Sequence, residues 1–159
     1  MLFITPMLPE HHTQLLQLAL AEEQIKYVGS MEEMLANIGA TTHPHVLVFN
    51  DKVIGFFLLD LLYHCGYSFC PPDGIGLRAY FVDGHQQGQG YGTDGMRLLP
   101  NYIKHHYPER RSVYLTVNCL NTAAYRCYFK AGFVDTNELY HGGAAGPLRV
   151  MALPIVQAG

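Results

Sequence analysis

The chain has 159 residues, of which 49% are hydrophobic and 14% are charged, and its formal net charge is −3. This size and composition predict a single domain over residues 1–159 with an apolar core, and the slight negative charge argues against a nucleic-acid partner. No apolar run is long enough to span a membrane, and the N-terminus lacks a signal segment, so we expect a cytoplasmic protein.

The N-terminal quarter predicts a strand followed by two helices. Residues 2–5 form the strand, and Pro9 opens a helix with a leucine-rich apolar stripe. Ser30 is placed to cap the second helix, and Glu33, three residues later, completes a capping box. We expect these two helices to form one wall of a cleft.

The next part of the chain predicts a hairpin and a loop. Two apolar segments, residues 46–49 and 53–62, flank the turn residues Asn50 and Asp51, which is typical of an antiparallel hairpin. Residues 63–74 contain a Pro-Pro-Asp-Gly run, and turn-forming residues in that order predict a loop.

The second half predicts strands that alternate with helices and then a closing antiparallel pair. Pro100 is expected to kink or break the first of these helices, because proline cannot donate a helical hydrogen bond. The predicted elements are strands over residues 77–82, 112–117, 134–140 and 148–153 and helices over residues 93–99 and 121–132.

The glycine-rich segment between the strand and the helix, residues 83–95, has the features of a phosphate-binding loop. Glycines allow close backbone approach and positive φ, and amide groups at a helix start attract anions. A Walker A loop is excluded because Met96, rather than lysine, follows Gly95. A dinucleotide fingerprint fits poorly, since the next strand ends at Asn118 instead of an acidic residue.

A third kind of phosphate loop fits the residues. The run Gln87-Gly88-Gln89-Gly90-Tyr91-Gly92 resembles the acetyl-CoA pyrophosphate loop of the Gcn5-related N-acetyltransferase (GNAT) family. Further along, Asn121, Ala124, Tyr128 and the pair Gly132-Phe133 resemble a second signature of that family. Two motifs in the right order are more specific than either alone.

The resemblance implies a fold and a reaction. The fold is α/β (α+β), with a mixed, mostly antiparallel sheet of six to seven strands flanked by about four helices. Residues 1–159 would then be one N-acetyltransferase domain that uses acetyl-CoA and no metal, and a small-molecule primary amine would attack the thioester directly.

The resemblance also assigns site residues. The strand before the glycine loop is bulged in the family and presents its backbone to the thioester. The implied cofactor-binding residues are Tyr80, Phe81, Val82, Gln87, Gly88, Gln89, Gly90, Tyr91, Gly92, Thr93 and Asn121.

Tyr128 is the residue we expect to act as the catalytic acid. It follows Asn121 by seven residues, or two helical turns, so both side chains share one helix face. A phenol held near the sulfur can protonate the departing thiolate. In the alternative interpretation Tyr128 is only a core aromatic residue, beside Tyr125 and Phe129.

The base that takes the amine proton is not evident from the sequence. Some family members carry acidic residues just before the bulge, where this chain has Arg78 and Ala79. Water relayed to Glu22, Glu23 or Asp60 is the remaining option.

The acceptor amine is predicted from one weak similarity. The segment 18–28, with Gln24, Tyr27 and Val28, followed by the strand 77–83 and the glycine loop, looks like the bacterial spermine/spermidine acetyltransferase branch, which implies a polyamine substrate. The carboxylates expected to line the cleft for such a substrate are those of Glu22, Glu23, Glu32 and Glu33. Other small amines, amino acids and protein amines remain open, as do a non-catalytic acyl-CoA-binding module and, more remotely, a nucleotide-binding protein. Exposed strand edges in such a fold also allow a homodimer.

Overall fold

The computed structural model describes residues 1–18 and 30–156. Its strands form one seven-stranded sheet in the order β1-β2-β3-β4-β5-β7-β6. Only the β4–β5 pair is parallel, so the sheet is mixed and mostly antiparallel, which confirms the predicted fold class. The strands are β1 (Leu2–Pro6), β2 (Thr42–Phe49), β3 (Lys52–Asp60), β4 (Gly74–Val82), β5 (Ser112–Asn118), β6 (Val134–Tyr140) and β7 (Leu148–Pro154).

Helices cover both faces of this sheet. Side chains alternate between the faces along β3: Phe56 packs toward α1 and α2, whereas Phe57 packs toward α5 and α6. In the described part of the chain the helices are α1 (His12–Leu16), α2 (Met31–Ala36), α3 (Tyr63–Gly66), α4 (Tyr91–Arg97), α5 (Leu99–His106) and α6 (Thr122–Lys130), with 3-10 turns at Pro9–His11 and Gly84–Gln86.

Several local predictions are confirmed. The β2–β3 hairpin turns at Asn50 and Asp51, whose φ angles of 50° and 67° are those of a type I′ turn. The Ser30 hydroxyl accepts a hydrogen bond from the Glu33 amide at 3.2 Å and so caps α2. The break expected near Pro100 falls at Leu98, because proline is tolerated in the first turn of a new helix.

The boundaries of two predicted elements are wrong. The loop predicted over residues 63–74 begins with α3, because the Tyr63 ring is buried against the sheet and holds one helical turn there. The helix predicted over residues 93–99 already begins at Tyr91, after Gly90 in the left-handed conformation. The first helix starts at Pro9 as predicted, with a 3-10 turn before it becomes α-helical.

The parallel pair β4–β5 is very short. Its register runs only from Gly74 opposite Ser112 to Gly76 opposite Tyr114. Beyond these three pairs the strands diverge, and no strand in the described residues fills the space between them. A gap therefore opens in the centre of the sheet and connects its two faces.

A buried histidine lies under α5 on one face of the sheet. The His45 ring is 1% exposed, stacks on Phe57 at 5.1 Å and meets the edge of Tyr102 at 5.2 Å. Its Nδ1–H donates to the carbonyl of His43 at 3.0 Å. Burial is the main cause that lowers the pKa of His45 to about 4. The hydrogen bond to the His43 backbone raises this pKa, whereas the charges of the His43 and His106 side chains lower it.

Helix α4 packs closely on the sheet at Gly95. A Cβ added there would lie 2.7 Å from Leu47 Cδ1 and 2.8 Å from the Tyr80 hydroxyl. One turn earlier, a Cβ on Gly92 would meet Cys127 Sγ at 3.6 Å, which is an ordinary contact. The two glycines of one helix therefore differ in what they tolerate.

The low pKa of His45 predicts a loss of stability in mild acid. Because the unfolded chain protonates His45 near pH 6.5 and the folded protein only near pH 4, the free energy of unfolding should fall by about 3 kcal/mol across that window. His45→Phe keeps the ring stacking and should flatten this part of the profile, measured by urea unfolding between pH 7 and 4. The exposed His105→Gln serves as the control, and equal pH profiles in all three proteins would contradict the prediction.

The packing at Gly95 predicts opposite effects for two alanine substitutions in α4. Gly95→Ala should lower the free energy of unfolding by about 1–3 kcal/mol, because Leu47 or Tyr80 must move. Gly92→Ala should be neutral or stabilise the fold by up to about 1 kcal/mol through helix propensity. Urea unfolding measures both, and equal losses would show that contact with Tyr80 and Leu47 does not matter.

Candidate active site

Two cavities meet in the gap between β4 and β5. The first, of about 340 Å³, lies between the end of β4, the glycine loop and α6, and the second, of about 400 Å³, lies toward α2. Four residues line both cavities and so form the passage between them: Tyr80, Asn121, Ala124 and Tyr128.

The first cavity, the loop cavity, collects nearly all the catalytic and cofactor-binding residues that the sequence predicts. Gln89 is the exception, because its side chain is exposed and does not line the cavity. Sequence reasoning missed Gln86, Ala123 and Cys127, of which Ala123 and Cys127 occupy variable positions of the second signature. The predicted residues that line it are Tyr80, Phe81, Val82, Gln87, Gly88, Gly90, Tyr91, Gly92, Thr93, Asn121 and Tyr128.

The glycine loop has the backbone geometry that its sequence predicts. Gly88 and Gly90 have φ angles of 82° and 83°, in the left-handed region that favours glycine. Gly90 is the N-cap of α4 and supplies no side-chain cap, so the amides of the first helical turn have no capping side chain. The Gln87 side chain donates to the carbonyl of Val82 at 3.1 Å and fastens the loop to the end of β4.

Strand β4 is bulged where the gap opens. Phe56 of β3 pairs with Phe81, but Leu58 pairs with Arg78, so two residues of β4, Ala79 and Tyr80, lie opposite one residue of β3. Ala79 has a φ of 57°, which is uncommon for a residue with a side chain. The bulge implied by the family resemblance is therefore present, next to the passage between the cavities.

The two tyrosines of the passage have different partners. The Tyr80 hydroxyl donates to the Gly92 carbonyl at 2.6 Å, which links β4 to the start of α4. The Tyr128 ring lies 6.3 Å from the Tyr80 ring and 5.5 Å from the Phe133 ring. Burial raises the pKa of both phenols, so both are protonated at neutral pH.

Tyr128 is a core aromatic residue that also borders both cavities. It is 9% exposed and belongs to the main apolar core, as an aromatic core residue would. It also lines both cavities, and its hydroxyl forms no hydrogen bond within the described residues. Asn121, two turns earlier, accepts a hydrogen bond from the Ala124 amide at 3.2 Å, which confirms its capping role.

The second cavity, the outer cavity, contains an arginine and several tyrosines. Arg78 Nη1 donates to Asp60 Oδ2 at 3.2 Å, while Asp60 itself does not line the cavity. The Asp60 carboxylate also accepts from the Leu62 amide at 3.0 Å. The Tyr63 and Tyr67 rings stack at 4.4 Å along one side.

The remaining predictions concern the substrate-binding residues, a metal site and a membrane-spanning helix. Glu22, Glu23 and Tyr27 lie outside the described residues. Within residues 1–18 and 30–156, no three His, Cys, Asp or Glu side chains come together as a metal site. In that same part of the chain, no helix has the length and apolar character needed to cross a membrane.

Comparison with known proteins gives two relatives that are both named as N-acetyltransferases. "Uncharacterized N-acetyltransferase YbbJ" of Bacillus subtilis (strain 168) is 28% identical over 130 residues, covering 80% of this chain and 81% of that protein. "Probable spermine N(1)-acetyltransferase" of Bacillus subtilis subsp. natto is 26% identical over 137 residues, covering 84% and 88%.

Solved structures share the fold at lower identity. The aminoglycoside acetyltransferase AAC(6')-Ib, in complex with paromomycin and acetyl-CoA, superposes with a TM-score of 0.77 at 19% identity and covers 96% of this chain and 93% of its own. Spermidine N-acetyltransferase from Vibrio cholerae, in complex with CoA and spermine, gives 0.72 at 15% identity and covers 97% and 95%.

The family assignment rests on a match to most of the chain. The sequence profile of the acetyltransferase (GNAT) family matches residues 9–133, which include the glycine loop, the bulged strand and the helix of Tyr128. This protein therefore belongs to the acetyltransferase (GNAT) family.

Proposed function

We propose that the protein transfers an acetyl group from acetyl-CoA to the primary amine of a small molecule, with both substrates bound at once. The observation that carries the proposal is the passage at Tyr80, Asn121, Ala124 and Tyr128, through which the two cavities meet. One cavity would take the cofactor and the other the amine, so that the reacting atoms come together at the passage.

The loop cavity fits the cofactor in two ways. Left-handed Gly88 and Gly90 let backbone amides approach a diphosphate, and the dipole of α4 adds positive potential there. The edge of β4 near Tyr80 faces no paired strand within the described residues, so an extended pantetheine arm could bond along it. AAC(6')-Ib and the Vibrio spermidine enzyme, which share the fold, were solved with acetyl-CoA or CoA.

Acetyl-CoA supplies an acetyl group activated as a thioester. The amine nitrogen forms a bond to the carbonyl carbon, the carbon–sulfur bond breaks, and the sulfur leaves with the electron pair. Tyr128 gives its hydroxyl proton to that sulfur, and the excess amine proton passes to water, with relay to Glu22, Glu23 or Asp60 as the options from the sequence.

The high pKa of Tyr128 is compatible with this role because the acceptor of the proton is buried with it. The same burial raises the pKa of the Cys127 thiol, which lines the loop cavity beside Tyr128. A CoA thiolate formed in this cavity would likewise be a stronger base than one in water. Burial of the accepting thiolate therefore offsets part of the rise in the pKa of the phenol.

A polyamine is one candidate acceptor. The name of one relative, a probable spermine N(1)-acetyltransferase, favours it, as does the spermine complex of a protein with the same fold. Glu22, Glu23 and Tyr27 would then bind the additional ammonium groups. The alternative of a non-catalytic acyl-CoA-binding module would use the same loop cavity but would have no need of a phenol at Tyr128.

Tyr128→Phe separates catalysis from binding. Without the proton donor, kcat for acetyl transfer should fall about 100-fold or more, while the KM for acetyl-CoA changes little, since the ring and its packing remain. The measurement is thiol release from acetyl-CoA against a panel of primary amines that includes spermidine. Tyr125→Phe, on the same helix but bonded to Asp135, is the control and should retain activity.

The panel also tests the proposed function itself. Turnover of any small primary amine supports it. Binding of CoA without turnover of any amine in the wild-type protein would overturn it in favour of the binding module. Equal kcat in wild type and Tyr128→Phe would remove Tyr128 from the chemistry.

Gly90→Ala tests the cofactor site through backbone conformation alone. An added Cβ has room, since the nearest atom is Asp94 Oδ2 at 4.0 Å, but the left-handed φ should cost about 1–2 kcal/mol. If that strain is relieved by distortion of the loop, the affinity for CoA should drop about 5- to 30-fold by calorimetric titration. Gly39→Ala, which has open space and no left-handed φ, should bind CoA as the wild type does.

A further inference from the structure

The outer cavity has one charged side chain in the described part of its lining. Among the described residues that line it, Arg78 is the only charged side chain, and the rest are aliphatic, aromatic, amide or hydroxyl groups. The Arg78 side chain is 41% exposed, while the carboxylate of its partner Asp60 is 13% exposed and lies outside the lining. Arg78 therefore lines the cavity, whereas the carboxylate that pairs with it does not.

Asp60 occupies only a small part of the hydrogen-bonding capacity of Arg78. The one contact between them joins Nη1 to Oδ2 at 3.2 Å, and a guanidinium has five N–H donors in a planar fork. Such a fork matches a carboxylate and binds it through two parallel hydrogen bonds. The contact with Asp60 also orients the guanidinium, which reduces the entropy lost when a second anion binds.

Arg78 lies close to the passage along the chain. Arg78 and Tyr80 are two residues apart on β4, with the bulge residue Ala79 between them. Two residues span at most about 7 Å between Cα atoms, which is the scale of one amino-acid-sized molecule. An acceptor could thus place an amine at the passage and a carboxylate against Arg78.

The apolar part of the cavity lining would receive an apolar part of the same molecule. The stacked rings of Tyr63 and Tyr67 line the cavity, together with the aliphatic side chains of Met34 and Leu58. An apolar or aromatic body can lie on these surfaces while the charged ends of the molecule point to Arg78 and to the passage.

We propose that the outer cavity selects acceptor amines that also carry a carboxylate, such as amino acids with an apolar side chain, and that Arg78 binds this carboxylate. The inference rests on the proposed acetyl transfer and specifies its substrate class. Arg78 is then a specificity-determining residue, whose charge also disfavours the additional ammonium groups of a polyamine.

The test compares amino acids with the amines that differ from them only by loss of the carboxylate. Two matched pairs serve, phenylalanine with phenethylamine and ornithine with putrescine, and spermidine completes the set. For each amine kcat/KM is measured with the wild type and with Arg78→Gln. Because each amine is compared with itself across the two proteins, differences in amine basicity cancel.

Arg78→Gln should lower kcat/KM for the preferred amino acid about tenfold or more, mostly through KM, as expected for loss of a charged hydrogen bond. The decarboxylated partner should not lose more than about threefold in kcat/KM, and the KM for acetyl-CoA should stay the same. Arg149→Gln is the matched control, since that arginine has similar exposure, pairs with Asp135 at 3.4 Å and lines neither cavity. Arg78→Lys keeps the charge without the fork and should give an intermediate loss.

Two results would overturn the inference while acetyl transfer stands. They are a wild-type preference for putrescine or spermidine over every amino acid, and equal effects of the substitution on both members of each pair. If thermal unfolding shows that Arg78→Gln does not fold, the test uses Arg78→Lys instead. The deciding quantity is then the loss of kcat/KM for the amino acid relative to the loss for its decarboxylated partner. A wild-type protein that acetylates nothing would instead overturn the proposed function.

Discussion

The separation of β4 from β5 after three residue pairs is the constraint on which the rest of the site depends. A continuous sheet would seal its two faces from each other, because strands about 4.8 Å apart leave no room for a ligand. Once the strands diverge, a cofactor on one face can reach an acceptor on the other. The bulge at Ala79 and Tyr80 sits at this divergence and turns the edge of β4 toward the space.

A gap in a sheet must be stabilised by polar contacts, because each interrupted ladder leaves backbone groups without partners. On the β4 side, the Tyr80 hydroxyl binds the Gly92 carbonyl and Gln87 binds the Val82 carbonyl. On the β5 side, the buried Asn118 side chain donates to the Ala145 carbonyl at 3.1 Å and accepts from the Leu120 amide at 2.9 Å. These contacts connect the mouth of the gap to the glycine loop on one side and to the β6–β7 turn on the other.

The loop cavity could be predicted from the sequence because its residues are consecutive and its glycines have a local physical reason. The outer cavity could not, because Asn37, Arg78, Thr116 and the turn at 143–145 come from separate elements, and no spacing relates them before the chain folds. In the sequence, Arg78 is distinguished only because it stands where some family members carry an acidic residue. The short helix at Tyr63 was missed for the same reason, since burial of one ring against a distant strand determines it.

Two buried phenols, Tyr80 and Tyr128, lie at the passage, and they differ in their hydrogen-bond partners. Burial keeps both protonated, so neither pKa alone identifies the acid. The Tyr80 proton is already committed to the Gly92 carbonyl, and its transfer would break the link between β4 and α4. Tyr128 has no such commitment within the described residues and faces both cavities. In the proposed reaction a proton would leave Tyr128 without breaking the bond between Tyr80 and Gly92, so Tyr80 would support the structure and Tyr128 would be the donor.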